Sequence, residues 1–176
     1  MGDIMPDLRT KRTHRAIVTA FRQLLTTTPF DKVTINDIAE SALINRSTFY
    51  VHFLDKYDLL QHIFEDILIQ EQIDTSHIDQ HPFELFARVK SSSIEAIIKR
   101  QTTDESFVTE FFKFFIEKQI ERNRKMTELE RCFFIGRVRA IMMWIQRTPQ
   151  AFNIFTDYPT LDRIFQTGKA SVAVDS

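Results

Sequence analysis

The chain has 176 residues and a formal net charge of −1, a length that suits one domain, or one domain with a small appendage. Three glycines and five prolines among abundant Phe, Ile and Leu favour an all-α fold over a turn-rich β architecture. A single cysteine, Cys132, excludes an intrachain disulfide framework and a thiolate zinc cluster, and the near-neutral charge excludes wholesale coating of nucleic acid while leaving room for a local DNA-binding face.

The N-terminal MGDIMPDLRT has no hydrophobic signal core, and no apolar run approaches the ~20 residues of a membrane span, so a cytoplasmic protein without membrane contact is expected. The first helical pattern runs from about Lys11 to Thr26, with Ile17, Ala20, Phe21, Leu24 and Leu25 at three- and four-residue steps. Arg9, Lys11, Arg12 and Arg15 crowd its start, either as a solvated helix end or as a phosphate-contacting cluster. Pro29 then interrupts the helix, and Phe30 and Val33 supply apolar side chains for a small core.

Thr34 and Asp37 have capping-box spacing and open a short helix faced by Ile35, Ile38, Ala39 and Ala42. After a two-residue turn, Leu43 and Ile44, Asn45 is placed to cap a second short helix reaching about His52 through its side chain. Phe49 and Phe53 read as core, while Arg46, Ser47, Thr48 and Tyr50 face outward. Asp55 caps a longer helix, Lys56 to about Thr75, with a stripe of Leu59, Leu60, Ile63, Phe64, Ile67 and Leu68. Two short helices joined by a tight turn, the second with a polar outer face, form a helix-turn-helix able to enter the DNA major groove.

The stretch TINDIAESALINRSTFYVHFLDKYDLL strongly resembles the DNA-binding segment of the TetR family of bacterial transcriptional regulators. The likeness spans roughly Arg15 to Leu60 and is most specific at DIAESA, STFYVHF and DKYDLL. The resemblance implies that Thr34 contacts a phosphate, that Arg46, Ser47 and Thr48 face base edges beyond the Asn45 cap, and that Tyr50, His52 and Lys56 grip phosphates. It also implies a dimeric protein bound to a palindromic double-stranded operator, with repression by occluding the promoter. Many relatives have glycine in the turn where this chain has Leu43. The turn therefore either avoids a left-handed conformation or carries a strain of roughly 1 kcal/mol.

Beyond this segment three helical patterns follow: Pro82 to about Arg100, a Phe-rich one after Asp104 that breaks or bends before Met126, and Glu128 to about Arg147. A last short helix lies near Leu161 to Thr167, ahead of the tail KASVAVDS, read as frayed. The expected division is a DNA-binding domain at 1–56 and a helical effector-binding and dimerisation domain at 57–176. The Glu128 helix is apolar on two sides, and its FFIGRVRAIMMWI resembles the dimer-forming helix of some small family members. Phe133, Gly136, Arg137, Ala140, Met143 and Trp144 are the expected homodimer contacts. Phe83, Phe86, Phe107, Phe111, Phe115, Phe134 and Trp144 are either a Phe-rich core or the lining of a pocket for a small apolar effector. An alternative regulator uses no small molecule and acts through a partner protein docked on the C-terminal half, as an activator.

His77 and His81 have the i, i+4 spacing of a metal pair, but no third ligand supports a site, and Pro82 interrupts the helix context. No nucleophile elbow, HExxH or phosphate-cradling glycine loop is present, so neither an enzyme nor a bound cofactor is expected.

Overall fold

The computed structural model describes residues 8–90, 93–123, 125–147 and 152–170. The described residues are helical, without a strand: α1 (Leu8–Leu25), α2 (Ile35–Ser41), α3 (Arg46–His52), α4 (Lys56–Gln70), α5 (Pro82–Lys90), α6 (Glu95–Gln101), α7 (Glu105–Phe112), a π-helical stretch (Lys113–Glu117), α8 (Lys118–Glu121), α9 (Glu128–Arg147) and α10 (Tyr158–Thr167). Among them no helix is long and apolar enough to cross a membrane. Two compact units are present: the chain up to Asp66 together with Glu95–Glu110, and Ile67–Ile94 together with the chain from Phe111 onward. The sequence expectation divided the chain at 56/57, at the first residues of α4; the compact units divide inside that helix, and the first also takes in α6 and most of α7.

In the first unit Ile17, Phe21 and Leu25 of α1 meet Phe30, Ile38, Phe49 and Leu59 in a fully buried core. The α2 capping box is present: Thr34 Oγ1 accepts from the Asp37 N–H at 3.2 Å, and Asp37 Oδ2 accepts from the Thr34 N–H at 2.8 Å. At α4, Asp55 Oδ1 accepts from the N–H groups of Tyr57 and Asp58, both at 2.8 Å, as its place in the sequence predicts. α4 stops at Gln70 rather than near Thr75 because Gln72 takes φ 50° and the Ile73 N–H folds back to the Leu68 carbonyl at 3.0 Å.

In the second unit α10 packs on α5 and α9. Asp162 of α10 reaches the free N-terminus of α5, accepting from the N–H groups of Phe83 (2.9 Å) and Glu84 (3.2 Å). At the π-helical stretch the Gln119 side-chain amide donates to the Phe114 carbonyl at 3.1 Å. The single helix expected over Pro82 to Arg100 is two helices, α5 and α6. Three consecutive serines, 91–93, separate them, residues whose hydroxyls compete with helical backbone bonds. Ser91, Ser92, Pro149 and the tail 171–176 lie outside the described residues.

Candidate nucleic-acid interface

The turn between α2 and α3 is a Schellman closure. The Ile44 N–H donates to the Ala39 carbonyl (2.9 Å), the Leu43 N–H donates to the Glu40 carbonyl (3.0 Å), and Leu43 sits at φ 55°. Of the two possibilities that the sequence leaves open, the turn takes the left-handed one, with a leucine that is 92% exposed where glycine is the easy choice. Asn45 occupies the N-cap of α3 in an extended conformation, but its side chain makes no capping bond, so the expected cap holds in position and not in mechanism.

On α3, Phe49 is fully buried and anchors the helix, while Arg46, Ser47, Tyr50 and Val51 are exposed and Thr48 is half-buried. Arg46 Nη2 donates to Tyr50 Oη at 3.2 Å, and its guanidinium lies 5.7 Å from the centre of the Tyr50 ring. One turn of helix thus holds a fork of donors at the surface, a group suited to guanine N7 and O6 or to phosphate. Val51, absent from the sequence expectation, is 78% exposed. It stands three and four residues from Thr48 and Ser47, on their face, and its only sequence signal is an apolar residue opposite the Phe49 anchor.

His52 ends α3 half-buried, its ring edge-on to that of His14 from α1 at 5.9 Å. His14 also meets His62 at 4.8 Å and Phe53 at 5.0 Å. Burial lowers the His14 pKa, and the neighbouring imidazoles of His62 and His52 lower it further, against the Asp66 carboxylate. His52 is therefore pinned to the scaffold on one side. Among the described residues no group of three His, Cys, Asp or Glu side chains is arranged to hold a metal ion.

Two of the residues expected at phosphates have bonding partners within the chain. Lys56 Nζ donates to the carbonyls of Phe30 (2.8 Å), Val33 (3.0 Å) and Asp31 (3.1 Å) and lies 4.7 Å from the centre of the Phe30 ring. An ammonium has three N–H donors, and these three bonds direct Lys56 at the α1–α2 connection, which it clamps. Burial pushes its pKa down, opposed by the Asp31 and Asp104 carboxylates. At Thr34 the backbone N–H and the hydroxyl both donate to Asp37 Oδ2, at 2.8 and 2.7 Å, so both donors take part in the capping box.

Arg9, Lys11, Arg12 and Arg15 are exposed on the first two turns of α1, with no acidic residue in its first turn. Cations at the positive end of a helix dipole are locally unfavourable. Such a local conflict is the kind retained where a surface has a task.

The remaining expected residues belong to the second unit, apart from Phe107, which packs on Phe64 (5.8 Å) and Phe30 (6.4 Å) in the first. Phe83, Phe86, Phe111 and Phe115 form a buried series with successive ring centroids 6.0, 5.6 and 4.6 Å apart. Phe134 pairs with Phe165 at 5.2 Å, and Trp144 with Phe152 at 5.3 Å. Two open cavities of about 490 and 310 Å³ share Glu84 and Arg88 in their walls, and neither is lined by any of these aromatic rings. On α9, Phe133, Gly136, Ala140 and Met143 are exposed along one face. Arg137 is also exposed and donates to the Phe165 carbonyl at 3.0 Å.

A helical unit that presents a capped helix-turn-helix with an arginine-bearing outer face defines the class of helix-turn-helix DNA-binding proteins. The family model of bacterial regulatory proteins, tetR family, matches residues 17–63, the segment that holds the helix-turn-helix. Over 92 residues it is 28% identical to the uncharacterized HTH-type transcriptional regulator YwcC of Bacillus subtilis, covering 52% of this chain and 40% of the relative. Over 54 residues it is 35% identical to DhaS, the HTH-type dhaKLM operon transcriptional activator of Lactococcus lactis, covering 31% of this chain and 29% of the relative. The matched stretches thus span less than half the length of either relative.

Among solved structures, the dihydroxyacetone kinase operon activator DhaS aligns over 89% of this chain and 95% of its own at 20% identity, with a TM-score of 0.49. NalD, the secondary repressor of the MexAB-OprM multidrug efflux pump in Pseudomonas aeruginosa, aligns over 91% and 96% at 17% identity, with a TM-score of 0.44. Both curated relatives are named as regulators of transcription, and neither as an enzyme.

Proposed function

We propose that this protein is a transcriptional regulator that binds a two-fold symmetric operator as a homodimer, with α3 in the major groove. The observation that carries the reading is the exposed face of α3: Arg46, Ser47, Tyr50 and Val51 stand outward on a seven-residue helix held from behind by the fully buried Phe49. Arg46, Ser47, Thr48 and Val51 contact base edges in this proposal. Asn45, Tyr50, His52 and the cations of α1 contact the backbone and fix the register. Lys56 and Thr34 act from within, holding the connection and the cap.

Dimerisation is proposed through α9. Leu129, Phe133 and Met143 are 64, 68 and 48% exposed, and a Cβ at Gly136 would meet nothing within 4 Å. Exposed apolar side chains bracketing small residues suit close approach of a second copy. The packed Phe83 to Phe115 series supports a core, so the proposal gives those rings no ligand. The sign we propose is repression, by occupancy of a promoter-overlapping operator. In vitro transcription from that promoter measures it, with activation as the contrary result.

The reading is tested by selecting bound duplexes from a random pool. Enrichment of an inverted repeat whose half-sites lie one helical turn, ~34 Å, or a multiple of it apart is expected. Recovery of no common sequence contradicts it.

A further inference from the structure

The connection between α1 and α2 has irregular backbone whose polar groups need partners from elsewhere. They come from residues distant in sequence within the same compact unit. Gln101, the last residue of α6, is completely buried. Its Oε1 accepts from the Phe30 N–H at 2.9 Å, and its Nε2 donates to the carbonyls of Leu25 (2.6 Å) and Thr28 (2.7 Å). Asp104, 7% exposed, accepts from the Asp31 N–H at 2.9 Å with one oxygen and from the Phe107 N–H at 2.9 Å with the other, so one carboxylate fastens the connection and caps α7. Arg100 Nε donates to the Thr27 carbonyl at 2.9 Å.

A buried amide with three of its groups bonded gains little over an apolar side chain in net stability, but it fixes geometry, because any shift of the connection breaks a bond that water cannot replace. The connection sets the angle between α1, whose basic first turns flank the duplex, and α2, which carries α3. Both surfaces must reach one duplex at the same time.

We infer that Gln101 and Asp104 are positioning residues for operator binding: without touching DNA, they lock the α1–α2 connection and so hold the basic end of α1 and the α3 face in one register. The inference rests on the DNA-binding reading above. It makes the 95–110 segment part of the reading unit although it lies more than 40 residues beyond the helix-turn-helix in the sequence.

The test uses full-length Gln101→Met and Asp104→Asn, with Phe134→Leu in the second unit as a stability control. Affinity for the selected operator and for a random duplex of equal length is measured well below every melting temperature, together with hydrogen exchange at the Phe30 amide. Gln101→Met is expected to lower operator affinity about ten-fold or more while random-duplex affinity stays within about two-fold, and to speed Phe30 exchange. Asp104→Asn, the milder change, is expected to lower the operator-to-random ratio by about three-fold. Phe134→Leu should leave that ratio unchanged at any loss of melting temperature. An unchanged ratio in both clamp variants, or a ratio that follows melting temperature in all three proteins, overturns the inference while the DNA-binding reading stands. Failure of the wild type to bind any duplex overturns both.

Discussion

The ammonium of Lys56 donates to the Phe30 carbonyl at 2.8 Å while standing 4.7 Å from the centre of the same residue's ring. Phe30 is fully buried, so this lysine closes the base of the DNA-binding core instead of reaching toward solvent. Lys56→Met is expected to destabilise the protein by about 2–4 kcal/mol, the scale for leaving several carbonyls without a charged donor. A phosphate-gripping lysine would, on removal, reduce the slope of log K against log salt by about 1. The expected slope here is unchanged, and titration of the folded variant at several salt concentrations checks it.

Leu43 is strained and exposed at once, so glycine in its place removes the strain and sacrifices no packing. Leu43→Gly is expected to stabilise by about 0.5–1 kcal/mol, measured as a shift in denaturant midpoint at constant m-value. A loss of stability contradicts the left-handed assignment.

What the sequence made legible was whatever is local. The Thr34/Asp37 box, the Asp55 cap and the Phe49 and Phe53 anchors each follow from spacing within a turn or two, and each is found. The carbonyl partners of Lys56 are not legible in the sequence, because a lysine at a helix start looks the same whether it points at solvent or at carbonyls 23 to 26 residues earlier. Gln101 gave no signal and Asp104 only that of a helix start, since their bonds to the α1–α2 connection cross 71 to 76 residues and follow no period. The α5/α6 break was hidden because apolar spacing continues through Val89, Ile94, Ile97 and Ile98, all buried, across the serine run.

Asp162 is buried, and burial raises its carboxyl pKa to about 6 from 3.8, against the lowering pull of the Phe83 and Glu84 N–H groups and of His81. A raised folded pKa means that the native state binds the proton more tightly than the unfolded chain. The contribution is therefore fully present below about pH 4 and is lost as pH rises through about 6. Asp162→Asn removes the titration and keeps an acceptor for the α5 amides. Its stability relative to wild type is expected to rise between pH 4 and pH 7, as urea unfolding at pH 4, 5.5 and 7 will show. A difference that does not change with pH contradicts the assignment.

Ala140 is exposed on the α9 stripe between Gly136 and Met143. Ala140→Glu places a charge at the centre of the proposed contact between copies, where burial without a partner is unfavourable by several kcal/mol. Sedimentation is expected to show a dimer for wild type and a monomer of unchanged helicity for the variant. A wild-type monomer at micromolar concentration, or a variant that remains a dimer, excludes this face.

The reading of α3 depends most on Arg46, the exposed fork held by Tyr50. The most direct measurement compares wild type and Arg46→Ala on the selected operator, on operators changed at one base pair at a time, and on random duplex. A loss of about 1–3 kcal/mol on the operator is expected, with relaxed preference at a single base pair and little change on random DNA. An equal loss on operator and random DNA, or none on either, contradicts base reading by this helix.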